Sequence, residues 1–281
     1  MKVLNYKYIL PQENGIVDGL TRSDYMSTWY IDKSRGFLDS MELRGRVAFL
    51  YAGGATLPAS ESRVTEVKRS YREEPMKSGM VVRELSAFCM HKWIGALNDR
   101  HLIQYANINA NTCASSMYSL YEAEQLLSNG FDQVVIVAEE RTTYNTLRLF
   151  DEMGIDLKVS EGLAIIHLGK ASSYGTEDIT SCKAWYEWNR NPFGTTSNGY
   201  MEVYSECDFI NPHGTGTENN ETAEEVYKHK PQLRYKEMYG HTQGVSGLLE
   251  VCLVLDEQVT GDVLCVSSGL GGFYASCIVH K

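Results

Sequence analysis

The chain has no surplus of positive charge: 26 basic residues stand against 36 acidic ones, a net charge of −10. A global basic field that would gather nucleic acid is missing, which argues against a nucleic-acid-binding protein. No run approaches the ~20 consecutive apolar residues needed to cross a bilayer, so no membrane span is expected. The opening stretch Met1-Lys-Val-Leu-Asn-Tyr-Lys-Tyr-Ile-Leu10 lacks a long apolar core and a small-residue cleavage site, and does not read as a secretory signal. The seven cysteines (89, 113, 182, 207, 252, 265, 277) are odd in number, scattered, and include no Cys-x-x-Cys pair. That argues against a disulfide framework or a zinc site and for reduced thiols in a cytoplasm. Short repeats, low-complexity tracts, an obvious linker and the glycine loops that cradle nucleotides are absent as well. A soluble, cytoplasmic protein with no metal and no redox or nucleotide cofactor is therefore expected.

What is present is an ordinary globular composition. With 281 residues, 43% hydrophobic and 22% charged, the chain can bury a sizeable core as one large domain or two tightly packed halves. Apolar runs alternate with helical stretches. Arg46–Tyr51, Leu102–Asn109, Gln133–Ala138, Glu161–Leu168, Asp208–Ile210, Val263–Val266 and Ala275–Val279 read as strands. Helices are expected over 64–74, with Pro75 as a stop, and over 79–97, 114–129, 221–229 and 244–255. Residues 188–199, rich in Asn, Gly, Thr and Pro, read as the least structured stretch. This alternation implies a sheet covered by helices.

The chemistry gathers in three places. Cys113 lies at a strand-to-helix turn, where helix-start amides and the helix dipole are expected to lower a thiol pKa and to hold a developing oxyanion. His213 opens His-Gly-Thr-Gly-Thr217, and His241 follows Gly240. Histidines beside glycine suggest imidazoles held on tight turns rather than packed on a helix face. With Lys236, the inventory is a thiol nucleophile, two imidazoles and an ammonium. A thioester-handling enzyme that must also stabilise a carbanion needs that set.

These residues resemble a family. Asn211-Pro-His-Gly-Thr-Gly-Thr217, Lys236 separated from His241 by four residues, and Gly240-His-Thr-Gln-Gly-Val-Ser-Gly247 are similar to the signatures of β-ketoacyl-[acyl carrier protein] synthases of types I and II and of polyketide ketosynthases. Thr112-Cys-Ala-Ser-Ser116 resembles the nucleophile segment, Phe150-Asp151 and Ser160-Glu-Gly-Leu-Ala164 the stretch before the first histidine, and Gly269-Leu-Gly-Gly272 the C-terminal glycine turn. The resemblance runs from about Ile103 to the C-terminus. It implies a thiolase-like five-layer αβαβα fold of two similar halves, taken as 1–170 carrying the nucleophile and 171–281 carrying both histidines. It implies decarboxylative Claisen condensation of an acyl thioester, held on Cys113, with a malonyl thioester. The N–H groups of Cys113 and Leu270 would form the oxyanion hole, and His213 and His241 would hold the enolate oxygen. Lys236, paired with Glu224, would organise His213. The implied partners are an acyl carrier protein and a second subunit, as a homodimer or a heterodimer with a ketosynthase homologue.

The chain departs from that family in several ways. Its members are substantially longer, so material is missing before Cys113 and between Cys113 and His213. Leu270 replaces a gating phenylalanine, Glu221 replaces an aspartate, and Asn109-Ala-Asn-Thr-Cys113 drifts toward the type III enzymes. Two other readings stay open: an acyltransferase or thioesterase that uses Cys113 without condensing, which the deletions and Leu270 favour, and a chain-length-factor-like partner subunit, which the intact Cys-His-His set opposes. Docking of an acidic carrier protein would need a local basic patch; Lys68, Arg69 and Arg72 form one candidate, and Lys183 and Arg190 are others, against the simpler reading of a solvated face.

Overall fold

The computed structural model describes residues 1–12, 15–17, 26–53, 75–142, 144–152, 154–173, 175, 178–188, 191–192 and 194–281. Within these, β1 (Lys2–Ile9), β2 (Val47–Ala52), β3 (Ile103–Asn109), β4 (Gln133–Glu140), β5 (Gly162–Gly169), β6 (Asp178–Tyr186), β7 (Phe209–Asn211), β8 (Asp262–Gly269) and β9 (Phe273–His280) form one mixed sheet, in the order β3-β2-β4-β5-β1-β6-β9-β8-β7. The helices are α1 (Met26–Ser40), α2 (Pro75–Ala96), α3 (Ser115–Ser128), α4 (Tyr144–Glu152), α5 (Ser197–Glu202), α6 (Glu218–Ala223), α7 (Tyr235–Tyr239) and α8 (Ser246–Asp256).

The sheet is two sub-sheets joined at a narrow seam. β2 runs parallel to β3 and β4, while β5 pairs antiparallel with β4 and β1. On the other side β9 pairs antiparallel with β6 and β8, and β7 runs parallel to β8. Between the two, β1 meets β6 in the single register pair Lys2–Asp178, whose side chains form a 2.9 Å ion pair. Helix α3 packs against β2 and β4 of one sub-sheet and against β6 and β9 of the other, and α8 touches β5, β8 and β9. A flat sheet cannot reach both sides of one helix, so the sheet folds back around α3 and α8.

Period-two alternation sorts the strand side chains among three interfaces. Ala48, Leu50 and Ala52 of β2 face the central layer with Met117, Leu120, Val251 and Leu255, whereas Val47, Phe49 and Tyr51 face Tyr30, Leu38 and Trp93 of the outer helices α1 and α2. On β8, Val263 and Cys265 turn inward, and Leu264 and Val266 pack outward under Tyr200 and Tyr227. The layering is αβαβα, as expected. Strands β2 and β5 are buried along their whole length, which is why they read as unbroken apolar runs.

Several elements differ from the sequence expectation. Pro75 is the first residue of α2, which starts four residues earlier than expected, at a position where its missing N–H has no intrahelical partner to lose. The helix expected over 64–74 and the patch Lys68, Arg69 and Arg72 lie outside the described residues. The helix expected over 221–229 starts earlier, as α6, and tightens into a 3₁₀ turn over Glu224–Tyr227. The stretch 188–199 leads into α5, whose N-cap Thr196 accepts a hydrogen bond from the Gly199 N–H at 3.0 Å. No helix among the described residues is long and apolar enough to cross a membrane.

Candidate active site

Cys113 is held by a turn that glycine makes possible. After β3 the chain passes Thr112 in the left-handed region (φ 52°) and enters a short 3₁₀ turn, Thr112–Ala114, before α3. Thr112 Oγ1 donates to the Leu270 carbonyl at 3.1 Å. A Cβ on Gly269 would lie 2.5 Å from the Asn111 carbonyl oxygen and 3.1 Å from the Ala114 nitrogen, so only glycine lets β8 approach the turn this closely. The result is that the backbone N–H groups of Cys113 itself and of Leu270 both bear on the Cys113 sulfur.

The two imidazoles also stand on turns that use the left-handed backbone open to glycine. His213 follows β7 and precedes Gly214 (φ 55°) and Gly216 (φ 77°); His241 follows Gly240 (φ 77°). His241 is clamped from both sides, its N–H donating to the Lys158 carbonyl at 2.7 Å and its carbonyl accepting from Ser160 N–H at 2.9 Å. Its Nδ1 lies 2.8 Å from Ser246 Oγ at the start of α8. The rings of His213 and His241 meet edge to face, with centroids 5.1 Å apart. His213 Nδ1 is buried and has no hydrogen-bond partner.

Lys236 is buried and forms a short ion pair with Glu250, not with Glu224 as the sequence suggested. Glu250 faces inward from the middle of α8 and also accepts from Asn211 Nδ2 at 2.7 Å. Glu224 is engaged otherwise: both its oxygens lie 3.1 Å from the Gly214 N–H, and Asn220 Nδ2 donates to it at 2.8 Å. Its task is to hold the His213 turn. Glu250 was missed by sequence reasoning although it left a signal, a lone carboxylate inside the apolar run Ser-Gly-Leu-Leu-Glu-Val-Cys-Leu-Val-Leu. A buried charge in such a run requires a partner.

Burial governs the electrostatics. Desolvation pushes the Cys113 thiol up to about 12, with Glu140 adding to it and Lys236 and the two N–H groups opposing it. This corrects the expectation of a thiol lowered by its helix start, because withdrawal from water outweighs the short helix-end field. His213 and His241 are both held well below the ordinary histidine range, first by burial and then by the Lys236 ammonium. Both are therefore neutral imidazoles, each offering one N–H and one lone pair. Burial raises Glu224 to about 7, against the pull of the Gly214 N–H and Lys236.

Cys113, His213, His241 and Leu270 line one cavity of about 490 Å³. One wall is apolar, from Phe150, Ile155 and Leu157; another is polar, from Thr215, Thr217, Asn219 and Asn220. Lys236 and Glu224 stand behind these walls, not on them. Of the other basic candidates, Lys183 donates to the Tyr204 carbonyl, and Arg190 lies outside the described residues.

No protein-family model matches the sequence, and no curated protein sequence does. Solved structures do match. A β-ketoacyl synthase from Burkholderia phymatum STM815 superposes with a TM-score of 0.69 over 95% of this chain and 87% of that one, at 15% identity. The ishigamide ketosynthase/chain length factor gives 0.69 over 94% and 86% at 13%. A type II polyketide synthase acyl-carrier protein in complex with its ketosynthase gives 0.68 over 95% and 87% at 14%. The chain has the thiolase-like α/β fold of the ketosynthases.

Proposed function

We propose that this chain is a β-ketoacyl synthase-like condensing enzyme, taking an acyl group onto Cys113 and joining it to a malonyl-carrier-protein unit. The observation that carries the reading is the convergence of Cys113, His213 and His241 in one cavity, with the Cys113 and Leu270 N–H groups directed at the sulfur. A thiol held near 12 must give up its proton as it reacts, and a neutral imidazole of the pair is the acceptor at hand. The thiolate attacks the acyl thioester carbonyl, the two N–H groups hold the oxyanion, and the carrier thiol leaves with the proton. A malonyl thioester then loses carbon dioxide, and imidazole N–H groups from His213 and His241 hold the enolate oxygen. The enolate carbon attacks the acyl-Cys113 carbonyl, which releases the thiolate and the β-ketoacyl product. The Lys236 ammonium, held in place by Glu250, biases both imidazoles toward their neutral form without touching substrate. No step calls for a metal or redox cofactor.

The same reading includes halves divided near residue 170, a cytoplasmic setting and a dimer. All seven cysteines are free, which suits a reducing compartment. Among the described residues β3 is an edge strand running into the nucleophile turn, and Tyr105 on it is 36% exposed. An edge strand carrying an exposed aromatic fits a second copy or a ketosynthase homologue. Analytical ultracentrifugation giving a stable monomer at all concentrations, alone and with such a homologue, would exclude it.

The test of the chemistry is intact-protein mass spectrometry after mixing with acyl-carrier-protein and CoA thioesters, alongside Cys113→Ala. An adduct on the wild type only, consumed by malonyl-carrier protein to give a β-keto product, supports condensation. An adduct lost to water or another acceptor without carbon dioxide release supports a transferase or thioesterase instead. No adduct with any thioester supports a partner subunit.

A further inference from the structure

Behind the cavity, a chain of buried side-chain hydrogen bonds ties the two loops that the proposed chemistry must keep in register. Tyr200, on the short helix α5, is fully buried. Its ring is edge to face with Tyr227 at 5.6 Å and with Tyr274 at 5.2 Å, which leaves the phenol no room to swing. Its hydroxyl donates to Asn220 Oδ1 at 2.5 Å and lies 2.9 Å from Ser268 Oγ. A phenol has one proton to give, so with that proton on Asn220 the Ser268 hydroxyl must be the donor to Tyr200. Asn220 Nδ2 donates in turn to Glu224, whose oxygens receive the Gly214 N–H. Every proton in the chain thus has one direction: Ser268 to Tyr200, Tyr200 to Asn220, Asn220 to Glu224.

The two ends of this chain matter. Ser268 precedes Gly269 and Leu270, whose N–H bears on the Cys113 sulfur. Gly214 follows His213. The N–H that stabilises an oxyanion and the imidazole that stabilises an enolate are therefore linked through one phenol oxygen that does not itself line the cavity.

We infer that Tyr200 is a positioning residue: its hydroxyl, bridging Ser268 and Asn220, fixes the separation between the Leu270 N–H and the His213 imidazole. The inference rests on the condensing-enzyme reading and adds to it a residue outside every motif that suggested it. A preorganised donor loses much of its effect when displaced by a fraction of an ångström, so the hydroxyl acts on the rate of acylation rather than on thioester affinity.

The test is Tyr200→Phe, which removes a single oxygen and keeps the ring, with Ser268→Ala as a second variant should the first fold poorly. Single-turnover acylation of Cys113 by hexanoyl-pantetheine, followed by intact mass, is compared with the wild type across thioester concentrations. The expected result is a maximal rate lower by about tenfold with half-saturation within about twofold, and a Tm lowered by only a few degrees. The double variant Tyr200→Phe with Ser268→Ala should be no slower than either single one, because both cut the same chain. A maximal rate within about twofold of the wild type, or two losses that multiply, would overturn the inference. A wild type that never acquires an acyl group sinks the underlying reading instead, and the two failures are told apart on that control.

Discussion

The two sub-sheets and their outer helices handle polarity in opposite ways. The five-stranded side is covered by long helices, α1 of 15 residues and α2 of 22, over a cluster dominated by Tyr30, Phe49, Trp93 and aliphatic side chains. It contributes to the cavity a thiol and its own N–H, while its buried carboxylates Glu139, Glu140 and Glu161 stay off the cavity lining. The four-stranded side is covered by helices of only six residues, α5 and α6, and its outer cluster is tyrosine-rich. There the hydroxyls of Tyr200 and Tyr227 are spent on side-chain and backbone partners. The C-terminal part of the chain also brings His213, Lys236, His241, Glu224 and Glu250, all buried. One region supplies a fixed position through apolar packing, and the other supplies a field through satisfied polar groups. The second task is the more fragile, since each buried charge depends on a named partner.

The comparison breaks most completely at its two centres. Cys113→Ala should abolish acyl-adduct formation while leaving the fold intact, since a small buried side chain replaces another; mass spectrometry and circular dichroism read the two halves of that statement. Glu250→Ala should lower the unfolding free energy in urea by about 3–5 kcal/mol, because it strands the buried Lys236 ammonium. A loss under about 1 kcal/mol would mean that the ion pair is not what holds this side together. Gly269→Ala tests the contact between the regions. Its methyl meets the Asn111 carbonyl, so β8 and the nucleophile turn must separate, with about 1–3 kcal/mol of destabilisation and slower acylation.

The smallest effects should appear in pH dependence. Glu139, buried in the first region and accepting from Tyr51 at 2.9 Å, is raised to about 6; Glu224, in the second, is raised to about 7. Each has a folded pKa above its unfolded value, so the folded state binds the extra proton. The resulting stability is fully present below about 4.5, declines as pH rises and is gone above the folded pKa. Relative to Glu139→Gln the wild type should lose about 2 kcal/mol by pH 6, and relative to Glu224→Gln it should go on losing up to about pH 7. Equal windows for the two variants in urea titrations would erase the distinction between the regions.

Legibility in the sequence followed burial. β2, β4 and β5 were readable because layers on both faces force continuous apolar runs, and α3 and α8 because their spacing is regular. β1 and β6 were not: they flank the seam, mix Lys, Asn, Thr and Tyr with apolar residues, and each carries an irregularity of register. The cover helices α1, α4 and α5 were also missed. At the site, His213 and His241 could be read because glycines with positive φ mark their turns, and Cys113 because it stands where a strand gives way to a helix. Glu250 left its signal as a lone carboxylate in an apolar run, but its pairing with Lys236 was not legible, since it depends on how α8 and α7 come together in the fold. The raised Cys113 thiol was equally hidden, because position at a helix start is local while desolvation is set by the whole fold.

The seam has a consequence for how the chain comes into being. β1 pairs over most of its length with β5, so during synthesis it waits for that partner until residue 169 has emerged. The central layer waits longer, because α3 has only half its surroundings until α8 and the strands β8 and β9 are made. Long waits of this kind expose apolar faces and favour association with other chains over correct closure. A fragment stopped near residue 170 would carry the bare inner face of α3, and should be retained by chaperones or aggregate rather than survive as a folded half.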